Sequence, residues 1–157
     1  MPQIQTKIMN EGWASYWHYT ICHELNLPQE WHIPFIKMHN QVIRPHVGGL
    51  NPYHLGFVIF QDIKERYGIE ECFIARESSH DVSFIRQYLT RDLCERLGLF
   101  SFSEKHKKGI TIDEIHDEDG WNQIKNSLIS NIGTNSMPVV YVEEIEEDNT
   151  LIVRHEH

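Results

Sequence analysis

The chain has 157 residues, of which 40% are hydrophobic and 24% are charged. This composition is typical of a folded domain and excludes a disordered chain, and no apolar run approaches the ~20 residues that a membrane-spanning helix needs. The formal net charge of −9 argues against nucleic-acid binding, because phosphates are recognised by basic surfaces and the basic cluster EKHKKG at 104–109 is short.

The N-terminus, MPQIQTKIMN, lacks the basic-then-apolar order of a signal peptide. Three scattered cysteines, Cys22, Cys72 and Cys94, form no CxxC pair, which favours free thiols over a disulfide framework. Together these features predict a cytoplasmic protein.

The first part of the chain is predicted to be helical. Residues 4–25 repeat apolar or small side chains near the 3.6-residue period of a helix. A second helix is predicted from Pro28, in the first-turn position that proline favours, through about Arg44. Pro34 falls inside this segment and predicts a kink or a late start.

Residues 44–52, RPHVGGLNP, are typical of a loop because proline and glycine interrupt them. Asn51 and Pro52 then supply a cap and a first position for a third helix, which is predicted to end at Gly68. A further helix is predicted over Asp81–Leu97, where the apolar residues form a broad face and Gly98 follows.

The pattern changes after residue 97. The segments LFSFSE and KGITIDEI alternate as strands do, HDEDGWNQIKNSLIS has the acidic first turn of a helix, and MPVVYVEEI with TLIVRH predicts a hairpin around the turn EEDN. We therefore predict an α+β fold. A helical part at 1–97 packs with a small α+β part at 98–157, which holds an antiparallel sheet and one helix. The apolar pattern already runs at Ile4 with no capping residue before it, which predicts that the chain comes from a longer protein.

The segment MNEGWASYWH, residues 9–18, surrounds one carboxylate with aromatic residues. An ionised carboxylate buried without a partner costs several kcal/mol, so Glu11 either points away from the rings or meets a cationic group. Glu11 and His18 share a helix face, but they lie ~10.5 Å apart along the axis, too far for one zinc ion to bind both. His18 and Cys22 have a four-residue spacing that is more often found in cores than in metal sites.

Other histidines give weaker patterns. The segment HELNL fails the HExxH metal motif because Leu27 occupies the last position. His39 and His54 flank the loop at 44–52 and His46 lies within it, and a metal site made from these three histidines is a minor alternative.

Four segments, in order and with compatible spacing, resemble the stage V sporulation protein R family. They are MNEGWASYWH at 9–18, LNPYHLGF followed by IFQDIKERY at 50–67, DVSFIRQYLT at 81–90 and LIVRHEH at 151–157. Because members of this family are much longer, the chain resembles their central-to-late portion. The resemblance implies a role in forming the spore cortex, a modified peptidoglycan layer of bacterial endospores. It also implies a serine protein kinase and a von Willebrand-like protein as partners. It implies no settled reaction.

The string Asn-Glu-Gly-Trp-Ala is also similar to the helix that donates the glutamate ligand in gluzincin metallohydrolases, where an HExxH helix supplies two histidines. On that likeness Glu11 is a metal ligand, and Asn10 or His18 orients substrate or water. Asn51 and Tyr53 are binding candidates that would hydrogen-bond the Glu11 helix or a ligand, although a capping role is favoured for them.

Two functions are therefore carried forward. The first is a sporulation protein that acts by interaction, as a scaffold or regulator, with no catalytic residue in this chain. The second is a zinc-dependent hydrolase of a peptide or peptidoglycan bond, whose two-histidine helix lies outside this sequence. We expect the chain alone to hold no zinc tightly, because one carboxylate is an incomplete set of ligands. In a simpler alternative, Glu11 pairs with Arg44 or Arg76.

Overall fold

A computed structural model describes residues 2–46, 50–99, 118–133, 139–145 and 150–156 of the chain. These residues form helices and one β-hairpin, which confirms the predicted α+β class. The helices are α1 Pro2–Gln5, α2 Lys7–Glu24, α3 Gln29–Val42, α4 Pro52–Tyr67, α5 Ile69–Ser78, α6 Asp81–Tyr88, α7 Arg91–Leu97 and α8 Glu118–Ser130, and the strands are β1 Val139–Ile145 and β2 Leu151–Glu156.

Most predicted helices are confirmed. The helix predicted over 4–25 is α1 together with α2, and α4 ends at Gly68, whose φ of 93° is a conformation that favours glycine. Helix α3 begins just after Pro28 and continues through Pro34, so the late start at Pro34 is wrong.

Two helices differ from the prediction. Residues 69–78, for which no element was predicted, form α5. The helix predicted over 81–97 is in fact two helices, α6 and α7, because Leu89 is extended and the Thr90 hydroxyl accepts a hydrogen bond from the Leu93 N–H at 3.2 Å. A threonine in this position caps a new helix instead of continuing the old one.

The predicted strands LFSFSE and KGITIDEI lie outside the described residues, apart from Leu99, and so does the turn EEDN. The boundary between the parts 1–97 and 98–157 stays a prediction. None of the described helices is long and apolar enough to cross a membrane.

Helices α2 and α4 form the centre of the fold and approach each other at two glycines. A Cβ atom built on Gly56 would lie 2.6 Å from the Gly12 Cα, and one on Gly12 would lie 2.9 Å from the Gly56 carbonyl oxygen and closer still to its Cα. Ordinary contact begins near 3.4 Å, so any side chain at either position would force the helices apart. The two helix backbones therefore touch at position 12. This contact explains why the residue after Glu11 is a glycine.

Phe60 of α4 lies at the middle of the core. Its ring packs against Trp13 at 5.3 Å and Phe84 at 4.9 Å between ring centroids, which joins α2 and α6 to α4. Ile129 of α8 and Ile132, just after the end of that helix, add two buried side chains to the same core. The fold is thus held around α4, with α2 lying across it.

The β-hairpin is antiparallel, as predicted, with Val142 opposite Val153 and Tyr141 opposite Arg154. Its register shifts between Val142 and Glu144, which marks a bulge at Glu143. Arg154 forms an ion pair with Glu143 at 2.6 Å across the two strands.

Candidate functional site

A groove of about 630 Å³ lies beside the first half of α2, and we call it the Glu11 groove. Its polar side chains come from four helices or the residues next to them: Gln3 from α1, Lys7, Asn10 and Glu11 from α2, Asp81 from α6, and Asn131 just after α8. This volume lies within the range typical of small-ligand sites. The predicted metal ligand Glu11 therefore lies at the rim of a cavity and outside the packed core.

Glu11 meets a tyrosine and not a cation. The Tyr53 hydroxyl, at the start of α4, hydrogen-bonds the Glu11 carboxylate, and this bond raises the pKa of Tyr53 above its usual value, with burial adding to the rise. Within the described ranges, no arginine, lysine or histidine lies within ion-pair distance of Glu11. The pairing with Arg44 or Arg76 is therefore not found there.

The tryptophans of the MNEGWASYWH segment face the other way. Trp13 packs edge-on against Phe73 at 5.2 Å between ring centroids, and Trp17 packs against the same ring at 5.8 Å. Because each helical residue turns ~100°, Trp13 lies almost opposite Glu11 on α2. The aromatic residues thus belong to packing against α5, and the carboxylate points away from them, which was the first of the two alternatives.

Asn10 contributes a buried oxygen to the groove. Its Nδ2 donates a hydrogen bond to the Thr6 hydroxyl oxygen at 2.8 Å, which fixes the amide. Its Oδ1 is buried and has no hydrogen-bond partner in the described part of the chain. An unsatisfied buried acceptor costs about 1–3 kcal/mol and is a common feature of a site that awaits a donor.

Asp81 shapes the groove by capping α2. Its Oδ2 accepts a hydrogen bond from the Ile8 N–H and its Oδ1 from the Met9 N–H, each at 2.9 Å. The carboxyl group is 1% exposed, and burial raises its pKa although these N–H donors act in the opposite direction. Both of its oxygens are used by the backbone, so Asp81 holds the wall of the groove.

Asn51, a predicted binding residue, caps α4. Its Nδ2 donates to the carbonyl oxygens of Val42 and Arg44 at 2.9 and 2.8 Å, and its Oδ1 accepts from the Tyr53 N–H at 3.0 Å. These bonds tie the end of α3 to the start of α4 and place Tyr53 beside Glu11. Asn51 thus positions Tyr53, and direct ligand binding by its amide stays a prediction.

His18 lies away from the Glu11 groove, in the seam between α2 and α3. Its ring meets Phe35 edge-on at 5.3 Å and His39 at 6.2 Å between centroids. His39 is 3% exposed, its Nε2 has no partner among the described residues, and burial lowers its pKa, with His18 and His23 adding to the effect. The structure therefore brings Glu11 and Tyr53 together and leaves His18 in a separate cluster.

The described part of the chain contains no group of three or more His, Cys, Asp or Glu side chains that could hold a metal ion. The three cysteines are free, and burial raises the pKa of Cys72 to about 11 and that of Cys94 to about 12, so these two thiols stay protonated near neutral pH. What the groove offers is a set of hydrogen-bond acceptors beside one lysine.

Four polar residues of the groove were not predicted from sequence: Gln3, Lys7, Asp81 and Asn131. Lys7 precedes Glu11 by four positions, a helical spacing that puts both on one face and could have indicated it. Asp81 is 70 positions from Glu11, and its sequence context, the start of a predicted helix, indicates only a local cap.

The fold and the groove define a mainly helical α+β protein with an acceptor-lined cavity on its first long helix. The chain belongs to the SpoVR-like family, since the family model described as "SpoVR like protein" matches residues 1–137. The uncharacterized protein YcgB of Escherichia coli (strain K12) is 29% identical over 186 residues, which cover 98% of this chain and 36% of that protein. The chain thus spans about a third of the length of this curated relative. No solved structure matches it.

Proposed function

We propose that this chain is a ligand-binding part of a SpoVR-like protein and that it acts by binding, as a scaffold or regulator in the spore-cortex role that the family resemblance implies. The ligand of the Glu11 groove is a peptide that carries an amino group, of the kind found in peptidoglycan. One observation carries the proposal: the Glu11 carboxylate lies in a groove with a tyrosine hydroxyl as its partner, and no cation of the described residues is within ion-pair distance of it.

The acceptors of the groove support an amine ligand. A carboxylate can accept about four hydrogen bonds, and Tyr53 occupies one of these positions on Glu11. The unpartnered Oδ1 of Asn10 is one residue away along α2. An ammonium group donates three hydrogen bonds and has no acceptor, so it matches these oxygens, while Lys7 is available for a carboxylate on the same peptide.

A catalytic role has less support. A hydrolase needs a nucleophile, a general base or a metal-bound water held next to its substrate. The neighbour of Glu11 is a tyrosine whose pKa is raised, which makes the phenol a weaker acid, and His18 lies in the α2–α3 seam. The chemistry of the groove therefore favours recognition.

Titration calorimetry with the tripeptide Ala-Glu-Lys tests this proposal. We expect the Glu11→Gln variant to bind about 10–100-fold more weakly, because a hydrogen bond to a charged group contributes about 1.5–3 kcal/mol. Acetylation of the peptide amines should weaken binding to a similar extent. Glu24→Gln, an exposed change at the far end of α2, is the matched control and should leave the affinity unchanged. Equal binding of the free and acetylated peptides, or of wild type and Glu11→Gln, would contradict an amine site.

The free lone pairs of Glu11 also favour a second candidate. Since no described cation neutralises this carboxylate, it can donate one ligand to a zinc site completed elsewhere in a longer SpoVR-like protein, as the gluzincin likeness implies. Metal analysis of the full-length E. coli relative, before and after replacement of the residue that aligns with Glu11, tests this. We expect one zinc equivalent that is lost in the variant, and a metal-free wild-type relative would eliminate the candidate.

A further inference from the structure

One face of the α2–α3 pair is apolar and exposed. Its side chains are between 48% and 65% exposed, and we call them the α2–α3 apolar face: Ile21, Leu25, Trp31, Met38 and Val42. None of the five belongs to the buried core or to the partly buried residues packed against it. They are large side chains at helical spacing on two adjacent helices, so their exposure needs a physical reason.

Ring contacts show how the two helices face each other. His23 of α2 meets His32 of α3 at 5.4 Å between ring centroids, and Tyr19 meets His39 at 5.0 Å. As the chain advances along α3, its contacts therefore move back along α2, which makes the pair antiparallel.

Helical rotation then places the five residues on one side of this seam. Leu25 is the C-cap of α2 and keeps helical backbone angles. At ~100° per residue, Leu25 and Met38 of α3 each lie about a quarter turn from the seam, in the same direction because the helices are antiparallel. Trp31 and Val42 lie within ~40° of Met38 on α3, and Ile21 lies within ~40° of Leu25 on α2. The five side chains form one continuous surface.

The size of this surface decides what it can do. With side-chain areas of roughly 150–250 Å² each, these exposed fractions leave about 600 Å² of apolar surface in contact with water. That is at the upper limit of the largest patches on monomers, about 300–600 Å². A standard protein interface buries about 800 Å² on each partner, so this face alone supplies most of one half.

We propose that the α2–α3 apolar face binds a second copy of this chain across a two-fold axis. Such an interface is self-complementary, so each apolar residue meets the same surface of the other copy. The two helix pairs then pack as a four-helix arrangement and bury Trp31 and Met38 at its centre.

The charges beside the face fit this two-fold arrangement. Glu30 and Lys37 are exposed on α3, two turns apart on the same rim. When two α3 helices pack antiparallel around a point between these residues, Glu30 lies beside Lys37 of the second copy. The two-fold axis then generates a second, identical Glu30–Lys37 pair. Opposite charges at a rim fix register and orientation.

Sedimentation equilibrium of the full chain from 5 to 200 µM tests the proposal. We expect a reversible dimer in the wild type and at least a tenfold weaker association when Trp31→Ser and Met38→Ser are combined. Ile74→Ser removes an exposed apolar side chain of α5, 53% exposed and outside the face, and should leave association unchanged. Far-UV circular dichroism establishes that each variant is folded.

Charge exchange tests the register. Glu30→Lys alone, or Lys37→Glu alone, should weaken the dimer about tenfold because each creates two like-charge pairs, and the double variant should restore the wild-type affinity within about threefold. A wild-type chain that stays monomeric at 200 µM would overturn the proposal. Binding of that monomer to the part of the E. coli relative outside the matched region would not restore it, because the face would then bind a different partner. Dimers that ignore the Trp31 and Met38 changes, or a double charge variant that fails to recover, would overturn it as well.

Discussion

The replacement Gly12→Ala tests the central packing claim. The new Cβ would lie 2.9 Å from the Gly56 carbonyl oxygen and closer to its Cα, where ordinary contact begins near 3.4 Å. Both contacts are with backbone, which has no rotamer to change, so α2 and α4 must separate by roughly 1 Å and loosen a close-packed core.

The expected magnitude follows from two opposing terms. Alanine favours a helix over glycine by about 1 kcal/mol, which would stabilise α2 if the methyl group had space. Overpacking against a rigid neighbour costs about 1–3 kcal/mol and more in severe cases, and a backbone–backbone clash belongs at the upper end. We therefore expect a net loss of about 2 kcal/mol, which corresponds to a Tm lower by roughly 4–8 °C for a chain of this size.

Urea unfolding followed by far-UV circular dichroism measures this change. Ala14→Gly, at an exposed position two residues further along α2, is the control and should cost about 1 kcal/mol through helix propensity alone. Gly56→Ala should destabilise similarly, and the double variant should cost less than the sum because the helices are already apart. A Gly12→Ala protein as stable as wild type would refute the close approach of α2 and α4.

Three further outcomes are expected. Burial lowers the pKa of His39 in the folded chain, so the unfolded chain binds a proton more readily. The contribution of His39 to the free energy of unfolding is therefore full above pH 6.5, and it falls by up to about 1.4 kcal/mol per pH unit between pH 6.5 and the lowered pKa of the folded state. Urea midpoints should show this slope shrinking in His39→Gln and persisting in His46→Gln, an exposed control. Glu11→Gln should lower the pKa of Tyr53 toward its ordinary value, seen as phenolate absorbance that appears at lower pH. In a Tyr53→Phe background, Glu11→Gln should cause no such shift in phenolate absorbance. Asp81→Asn should cost about 2 kcal/mol, since an amide presents one acceptor where two N–H groups need one each, and unchanged urea midpoints would contradict the capping role.

Periodicity and capping residues predicted the main helices from sequence. Asn51 and Pro52 start α4 as expected, because a cap depends on residues that are neighbours along the chain. The break at Thr90 was missed because the apolar face continues across it, although a threonine followed by an acidic first turn is a local signal for a new helix.

The groove was less predictable. The Asn-Glu-Gly-Trp string identified Glu11, but its partner Tyr53 is 42 positions away and was named only from the family resemblance. The role of Gly12 depends on Gly56, and no pattern within one helix reveals which glycine will touch another. Long-range contacts of this kind are settled by how α2 and α4 pack.

The carboxylate of Asp81 completes the first turn of a helix that begins more than 70 residues earlier. The opening amides of most helices face water and exchange their hydrogens quickly, since helix ends fray. Here the amides of Ile8 and Met9 can open only when α6 withdraws its carboxylate. In a hydrogen-exchange experiment the beginning of α2 should consequently be among the last segments to take up deuterium. Loss of this protection would report that α6 has moved away from α2.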